Sequence, residues 1–261
     1  PAMVALMLRL PSEAYLAELI APVDVQAIHA AREALRRCLA SALAEPLLAA
    51  YRRCESDEPY RASAEQIARR SLKNTALSYL MLTEDGAALA RTQFEDSRNM
   101  TDRLAALTAI VNSDMAYKSQ ALQTFYQDWQ HEPLVINQWF QVQAMCSMPG
   151  TLDRVKELMH HPAFDMGNPN KVRALIGAFC GQNAVNFHRE DGEGYVFLAD
   201  QVLGLNRRNP QIASRLLGPL SKWRKYLPEV QEKMKAQLER ILAEPELSSD
   251  VYEVVSKSLG E

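Results

Sequence analysis

Apolar residues recur every three to four positions along almost the whole chain, and this periodicity constrains the fold more than any other feature. The alternation of apolar and polar residues that is typical of a half-buried strand is hard to find. Hydrophobic residues make up 48% of the 261 positions and charged residues 23%, as in an ordinary folded globular chain. The sequence therefore predicts an all-α protein.

Start and stop signals divide the chain into about a dozen predicted helices joined by short links. The predicted helices span residues 24–44, 63–84, 87–97, 101–112, 115–130, 133–148, 151–160, 169–180, 194–207, 210–227, 229–243 and 249–259. Pro46 either kinks the first of these or lies in the first turn of a further helix that ends near Cys54. Residues 181–194 are predicted to form a loop.

Residues that accept hydrogen bonds from free backbone amides precede several of these helices. Asp24 is a predicted N-cap, and Ser63 with Gln66 has the form of a capping box. Asn168 and Asn209 are each followed by proline, which fits the first helical position without losing a needed donor.

Many short antiparallel helices cannot all touch one compact core, so they favour a stacked superhelix of antiparallel helix pairs, of the armadillo or HEAT type. No fixed-period repeat is visible in the sequence, so any repetition is structural. We expect residues 1–261 to form a single helical domain. The chain begins at Pro1 inside an apolar run with a helical pattern, which predicts that it is truncated on its N-terminal side.

Charge and cysteine usage exclude several partners. The net charge is −3 and no basic stripe is present, so nucleic acid is not an expected partner. The four cysteines are far apart and form no C-x-x-C pair, which argues against a disulfide framework and a thiolate zinc site. No run of 18 apolar residues and no signal peptide are found, so we expect a cytoplasmic protein without membrane contact.

Motifs that would supply a catalytic centre or a metal site are missing. H-E-x-x-H, G-x-S-x-G and a phosphate-binding G-x-x-x-x-G-K-[ST] do not occur. His160 and His161 are adjacent and would point about 100° apart on a helix, so they cannot share one ion. His188 lies close to two carboxylates, but a solvated loop of mixed charge explains that cluster more simply. The sequence predicts no catalytic residue and no metal ligand in this chain.

The predicted helix 210–227 is the most informative surface. Its apolar stripe comprises Leu216, Leu220, Trp223 and Leu227. Gln211 and Arg215 lie on the opposite side at i, i+4 spacing, which a solvated face also explains. Pro219 removes the amide that would bond the carbonyl of Arg215, so a kink and a free acceptor are expected there.

Six strings, in this order, closely resemble the C-terminal region of the bacterial aminopeptidase N family. They are Leu10–Glu18, Arg70–Asn74, Asn99–Asp102, Asn168–Phe179, Gly192–Leu198 and Asn209–Arg215. The resemblance implies a zinc peptidase that removes N-terminal residues from peptides, of which this chain would be most of the C-terminal helical domain. The zinc-binding and amine-binding motifs of the family would lie upstream, in a catalytic domain of the same chain.

The resemblance also implies a role for this domain. The helical domain would close the active-site chamber and limit access to it, and Gln211 and Arg215 match positions that reach the bound peptide. Lys171 stands where relatives often carry arginine, so a planar fork for a carboxylate is not expected there. The chain alone would be inactive, with zinc only in the parent enzyme. The alternative is a helical-repeat scaffold that binds peptides or proteins and has no enzymatic role.

Overall fold

The computed structural model describes residues 1–260, and the chain is 71% helical. No strand occurs in this range, although Val23 and Tyr226 form an isolated parallel backbone bridge. The all-α prediction is confirmed.

Contacts group the chain into two compact units. Unit 1 comprises Pro1–Ser12 and Ala30–Trp129, and unit 2 comprises Glu13–His29 and the described residues from Gln130 onward. The helix α3, Val25–Ala42, belongs to both. The prediction of a single domain over residues 1–261 stays a prediction, and its last residue lies outside the described range.

The helices of each unit follow one another with short links. Unit 1 contains α1 Ala2–Met7, α4 Ala44–Arg53, α5 Ala64–Leu80, α6 Gly86–Asp96, α7 Met100–Val111 and α8 Lys118–Trp129. Unit 2 contains α2 Glu13–Leu19, α9 Pro133–Ala144, α10 Thr151–Leu158, α11 Pro169–Val172, α12 Ala178–Gln182, α13 Ala184–Phe187, α14 Glu193–Asn206, α15 Pro210–Leu216, α16 Gly218–Ser221, α17 Pro228–Leu242 and α18 Ser249–Leu259. A π-helical segment, Arg173–Gly177, joins α11 to α12, and a 3₁₀ turn covers Trp223–Lys225.

The predicted N-caps are present. Each cap side chain accepts a backbone N–H two or three residues on: Asp24 from Ala27 at 2.9 Å, Ser63 from Gln66 at 3.3 Å, Asn168 from Asn170 at 2.9 Å and Asn209 from Ile212 at 3.2 Å. Pro46 lies in the first turn of α4, a separate helix, as one of the two alternatives predicted. Local capping chemistry therefore sets where these helices begin.

Several predicted boundaries are wrong. The helix expected to continue to residue 84 ends at Leu80, and Gly86 begins α6 instead of ending α5. A Cβ at Gly86 would lie 2.0 Å from the carbonyl oxygen of Leu80, so only glycine permits this close approach. The predicted loop 181–194 contains the short helix α13.

Each unit has its own apolar core. In unit 1, Phe94, Leu107 and Phe125 are almost fully buried. In unit 2, Phe179 packs edge-on against Phe187 and Phe197, with ring centroids 6.4 and 5.8 Å apart. Within residues 1–260, no helix is long and apolar enough to cross a bilayer.

Candidate functional site

The helix α15 carries both residues that the sequence singled out. Asn209 caps it, and Pro210 occupies the first turn with its fixed φ. Ile212, Ala213 and Leu216 are buried on one side. Leu216 packs beside Gly177 of the π-helical segment, where an added Cβ would lie 3.8 Å from its Cδ2. The apolar side thus fixes the direction in which the other side of α15 points.

Gln211 and Arg215 lie on the exposed side of α15. The guanidinium of Arg215 has no ion-pair partner in the described part of the chain. A guanidinium keeps its charge at any physiological pH and offers a fixed fork of donors to a carboxylate or carbonyl. The structure therefore brings the two predicted residues together on one surface and leaves both accessible to a ligand.

The predicted continuous helix 210–227 is wrong. The chain breaks into α15, α16 and the 3₁₀ turn, so Trp223 and Leu227 are only half buried. The backbone N–H of Leu217 donates to the carbonyl of Ser214 at 3.3 Å, and the free acceptor expected at Arg215 stays a prediction. The break lies at Leu217, two residues before Pro219. Because of this break, the helix that carries Gln211 and Arg215 is only seven residues long.

Lys171, on α11, is a buried cation without a carboxylate partner. The residue is 8% exposed, and its ammonium lies 5.4 Å from the ring centroid of Phe140. Burial lowers the pKa of this ammonium. Such a contact replaces only part of the lost hydration of a charge. Sequence reasoning treated Lys171 only as a departure from its relatives and missed its burial.

His161 lies in the same aromatic cluster. Its ring centroid is 5.1 Å from that of Trp139 and 6.0 Å from that of Phe140. Its Nδ1 accepts the backbone N–H of Ala163 at 3.1 Å. Burial first, and then the positive charges of Arg154 and Lys171, lower the pKa of His161. Both effects favour the neutral form of the His161 ring.

The segment Arg173–Gly177 is π-helical, and the sequence offered no signal for it beyond its helical periodicity. Short π-helical segments inside α-helices are frequent at functional sites. This one begins two residues after Lys171 and ends at Gly177, against which Leu216 of α15 packs. It thus connects the helix that carries Lys171 with the helix that carries Arg215.

The interpretation of His188 as part of a solvated loop is wrong. His188 is 7% exposed, its Nδ1 lies 2.9 Å from the Tyr195 hydroxyl, and its ring lies 4.3 Å from that of Tyr226. Its backbone carbonyl accepts the Gln26 amide at 3.1 Å. Burial lowers the pKa of His188 to about 4, so the ring is neutral at physiological pH. Its role is to pack the core of unit 2.

The residues present do not fit a zinc site. Across residues 1–260, no three His, Cys, Asp or Glu side chains are grouped so that they could hold a metal ion.

A known family of helical domains matches almost the whole chain. The family DUF3458_C, a domain of unknown function with ARM repeats, matches residues 1–260. This match agrees with the predicted armadillo-like fold class.

Several known proteins are similar over the whole chain. Aminopeptidase N of Escherichia coli is 43% identical over 100% of the chain and 30% of its own length. Aminopeptidase N of Caulobacter vibrioides is 40% identical, again over 100% of the chain and 30% of its own length. A crystal structure of Legionella pneumophila aminopeptidase A in complex with aspartic acid is similar with a TM-score of 0.91 at 32% identity, over 99% of this chain and 31% of that one. The chain thus spans less than a third of the length of these relatives.

Proposed function

The chain belongs to the DUF3458_C family of ARM-repeat domains and is similar over its whole length to part of aminopeptidase N, and on this premise we propose that it is the accessory helical domain of a zinc aminopeptidase. The predicted resemblance and the armadillo-like fold class are confirmed. The observation that carries the proposal is the similarity of the entire chain to two aminopeptidase N sequences at 43% and 40% identity.

In the proposed function, this domain closes the active-site chamber of the full-length enzyme and limits which peptides enter it. The catalytic zinc is bound upstream, in the catalytic domain, which is this domain's partner. The length of the relatives supports this division, because the chain covers only 30% of them. When bound, zinc would supply Lewis-acid chemistry and an activated water.

Gln211 and Arg215 are the proposed substrate contacts. A peptide substrate carries a carboxylate and several backbone carbonyls, which are the acceptors that a guanidinium binds best. The exposure of both side chains and the lack of an ion pair at Arg215 support this role. Gln211 is one helical turn from Arg215 and assists as a neutral hydrogen-bonding group.

The exposed apolar side of α1 supports the proposed contact with the upstream domain. Met3, Leu6 and Met7 are 68%, 58% and 79% exposed, whereas Ala5 of the same helix is fully buried. Contiguous exposed apolar side chains mark interaction sites. We propose that this side of α1 packs on the rest of the enzyme. The four cysteines are free thiols, which agrees with the proposed cytoplasmic location.

Parallel assays of the full-length enzyme and of the purified 261-residue chain test the proposal. We expect zinc-dependent release of chromophore from aminoacyl anilides by the full-length enzyme and none by the chain alone at equal molar concentration. The chain alone should also bind more hydrophobic dye, because the α1 side is uncovered. A full-length protein without aminopeptidase activity would favour the helical-repeat scaffold, and zinc-dependent turnover by the pure chain would refute an accessory role.

A further inference from the structure

Unit 1 contains a polar cleft of about 860 Å³ that uses none of the proposed substrate contacts. The ends of α4 and α6, the first half of α5 and the first turn of α7 line it. This volume is within the range of roughly 300–1,000 Å³ that is usual for ligand sites. Two strings that carry the resemblance, Arg70–Asn74 and Asn99–Asp102, contribute lining residues, so the proposed function leaves them unexplained.

The polar side chains on the floor of the cleft are hydrogen-bonded to one another. Asp102 accepts from the ammonium of Lys73 at 2.5 Å and from the amide of Asn74 at 2.9 Å. Gln93 donates to the backbone carbonyl of Asp102 at 2.8 Å and accepts the Tyr51 hydroxyl at 2.9 Å. These polar groups therefore have hydrogen-bond partners within the chain and do not require a ligand.

Two cations on the rim have no carboxylate partner within the described part of unit 1. Arg98 is exposed and makes no ion pair. Arg70 lies 4.9 Å from the ring centroid of Tyr60 and donates only to the Gln66 side chain at 3.2 Å and to a backbone carbonyl at 3.4 Å. Both guanidinium groups can therefore donate hydrogen bonds to the carboxylate of a ligand.

Three carboxylates on the same rim likewise have no cation partner among the described residues. They are Glu55, Asp57 and Asp96, and all three are exposed. The nearby Arg69 differs, because Glu65 at 2.5 Å and Glu58 at 3.7 Å already bind it. The rim thus offers both signs of unpaired charge around one cleft.

We propose that this cleft binds short peptides whose amino and carboxyl termini are both free. Such a peptide carries one charge of each sign, which matches the unpaired cations and carboxylates of the rim. A simple anion would meet the three carboxylates, and a simple cation would meet the two guanidinium groups. The ring of Tyr60, which is 59% exposed, offers a surface to an apolar side chain of the peptide.

Hydrogen exchange on the full-length protein tests this site. Tetra-alanine is added in the presence of a chelator, and exchange is followed by mass spectrometry over residues 54–60 and 96–99. The same measurement is made with N-acetylated tetra-alanine, with its C-terminal amide and with inorganic phosphate. We expect slower exchange in both segments with the free peptide only. Because hydrolysis products keep free termini, residual turnover does not change the class of ligand.

Variants make the test specific. Arg98→Ala should raise the tetra-alanine concentration that gives half-maximal protection about threefold to fivefold, the upper range for an exposed ion pair. Arg98→Lys should restore most of the lost affinity. Arg37→Ala is the matched control, because Arg37 is exposed and lies outside the cleft in the same unit. Protection that is absent, equal with either capped peptide, reproduced by phosphate or unchanged in Arg98→Ala would overturn the proposal.

The choice of a peptide rests on the proposed function, but the two can fail separately. Aminopeptidase activity is measured on the same preparation without chelator. Activity without protection overturns only the cleft, whereas protection without activity overturns only the proposed function.

Discussion

Lys73 in unit 1, with a side chain that is 13% exposed, and Lys171 in unit 2, a residue that is 8% exposed, both have little contact with solvent, yet their surroundings are opposite. Lys73 lies 2.5 Å from Asp102, whose carboxylate also accepts the amides of Asn74 and Asn99. Lys171 has no carboxylate partner within residues 1–260 and meets only the face of Phe140.

The two lysines differ in how the free-energy cost of burying their charge is compensated. A buried charge costs free energy unless a partner and hydrogen bonds compensate for it. Lys73 is compensated within its own unit, so packing and stability explain it. Lys171 has no such partner among residues 1–260, so a buried ion pair does not explain its presence. The Lys73–Asp102 pair is therefore satisfied within unit 1, whereas the ammonium of Lys171 in unit 2 has no carboxylate partner in the described part of the chain.

The largest effect should follow from breaking the unit 1 pair. Asp102→Ala leaves Lys73, Asn74 and Asn99 without their shared acceptor. The free energy of unfolding should fall by about 3–5 kcal/mol, the usual cost of removing one partner of a buried ion pair. Urea unfolding measures it. Asp128→Ala is the matched control, because Asp128 pairs with Arg103 but its side chain is 45% exposed. Equal losses for the two variants would contradict the comparison.

Lowering the pH should reduce the free energy of unfolding through protonation of His188 in unit 2. Its pKa is about 4 in the folded chain and ordinarily about 6.5, so the unfolded state binds a proton first as the pH falls. The stability from the neutral ring is present above pH 6.5 and is lost toward pH 4. Between pH 7 and pH 5 this loss should reach about 2 kcal/mol. Urea unfolding at both pH values checks it, and His188→Gln should remove that part of the difference. An identical pH dependence in the variant would contradict the assignment.

The smallest stability effect should follow from replacing Lys171. Lys171→Met keeps the unbranched side chain and removes a charge that lacks a carboxylate partner. The free energy of unfolding should therefore rise or change by less than about 1 kcal/mol. Lys73→Met, the matched change in unit 1, leaves Asp102 uncompensated and should destabilise by several kcal/mol. Urea unfolding measures both variants. A similar decrease in the free energy of unfolding for Lys171→Met and Lys73→Met would contradict the comparison of the two lysines.

Features set by neighbouring residues were predictable from the sequence. The caps at Asp24, Ser63, Asn168 and Asn209 are each bonded to an amide within three residues, so local chemistry determines them. Gln211 and Arg215 share the exposed side of α15 for the same reason. Helical periodicity therefore placed the two residues on one side of the helix, whereas their expected role as substrate contacts came from the resemblance to the aminopeptidase N family.

Features set by distant residues were not predictable. The Lys73–Asp102 pair joins residues 29 positions apart, and Gln26 reaches the carbonyl of His188 across 162 positions. The burial of His188 depends on Tyr195 and Tyr226, which no local pattern connects to it. Tertiary contacts, and not the local sequence pattern, determine the surroundings of these residues.

Arg215→Ala in the full-length enzyme tests the central claim that unit 2 supplies a substrate contact. A charge-assisted hydrogen bond to the peptide should contribute about 1.5–3 kcal/mol, so kcat/KM for tri- and tetrapeptides should fall about 10-fold to 150-fold. Aminoacyl anilides lack the carboxyl end, so their kcat/KM should change much less. Arg208→Ala, at an exposed arginine just before α15, is the matched control. A change within about 0.5 kcal/mol for both substrate classes, as for a solvated arginine, would contradict the account.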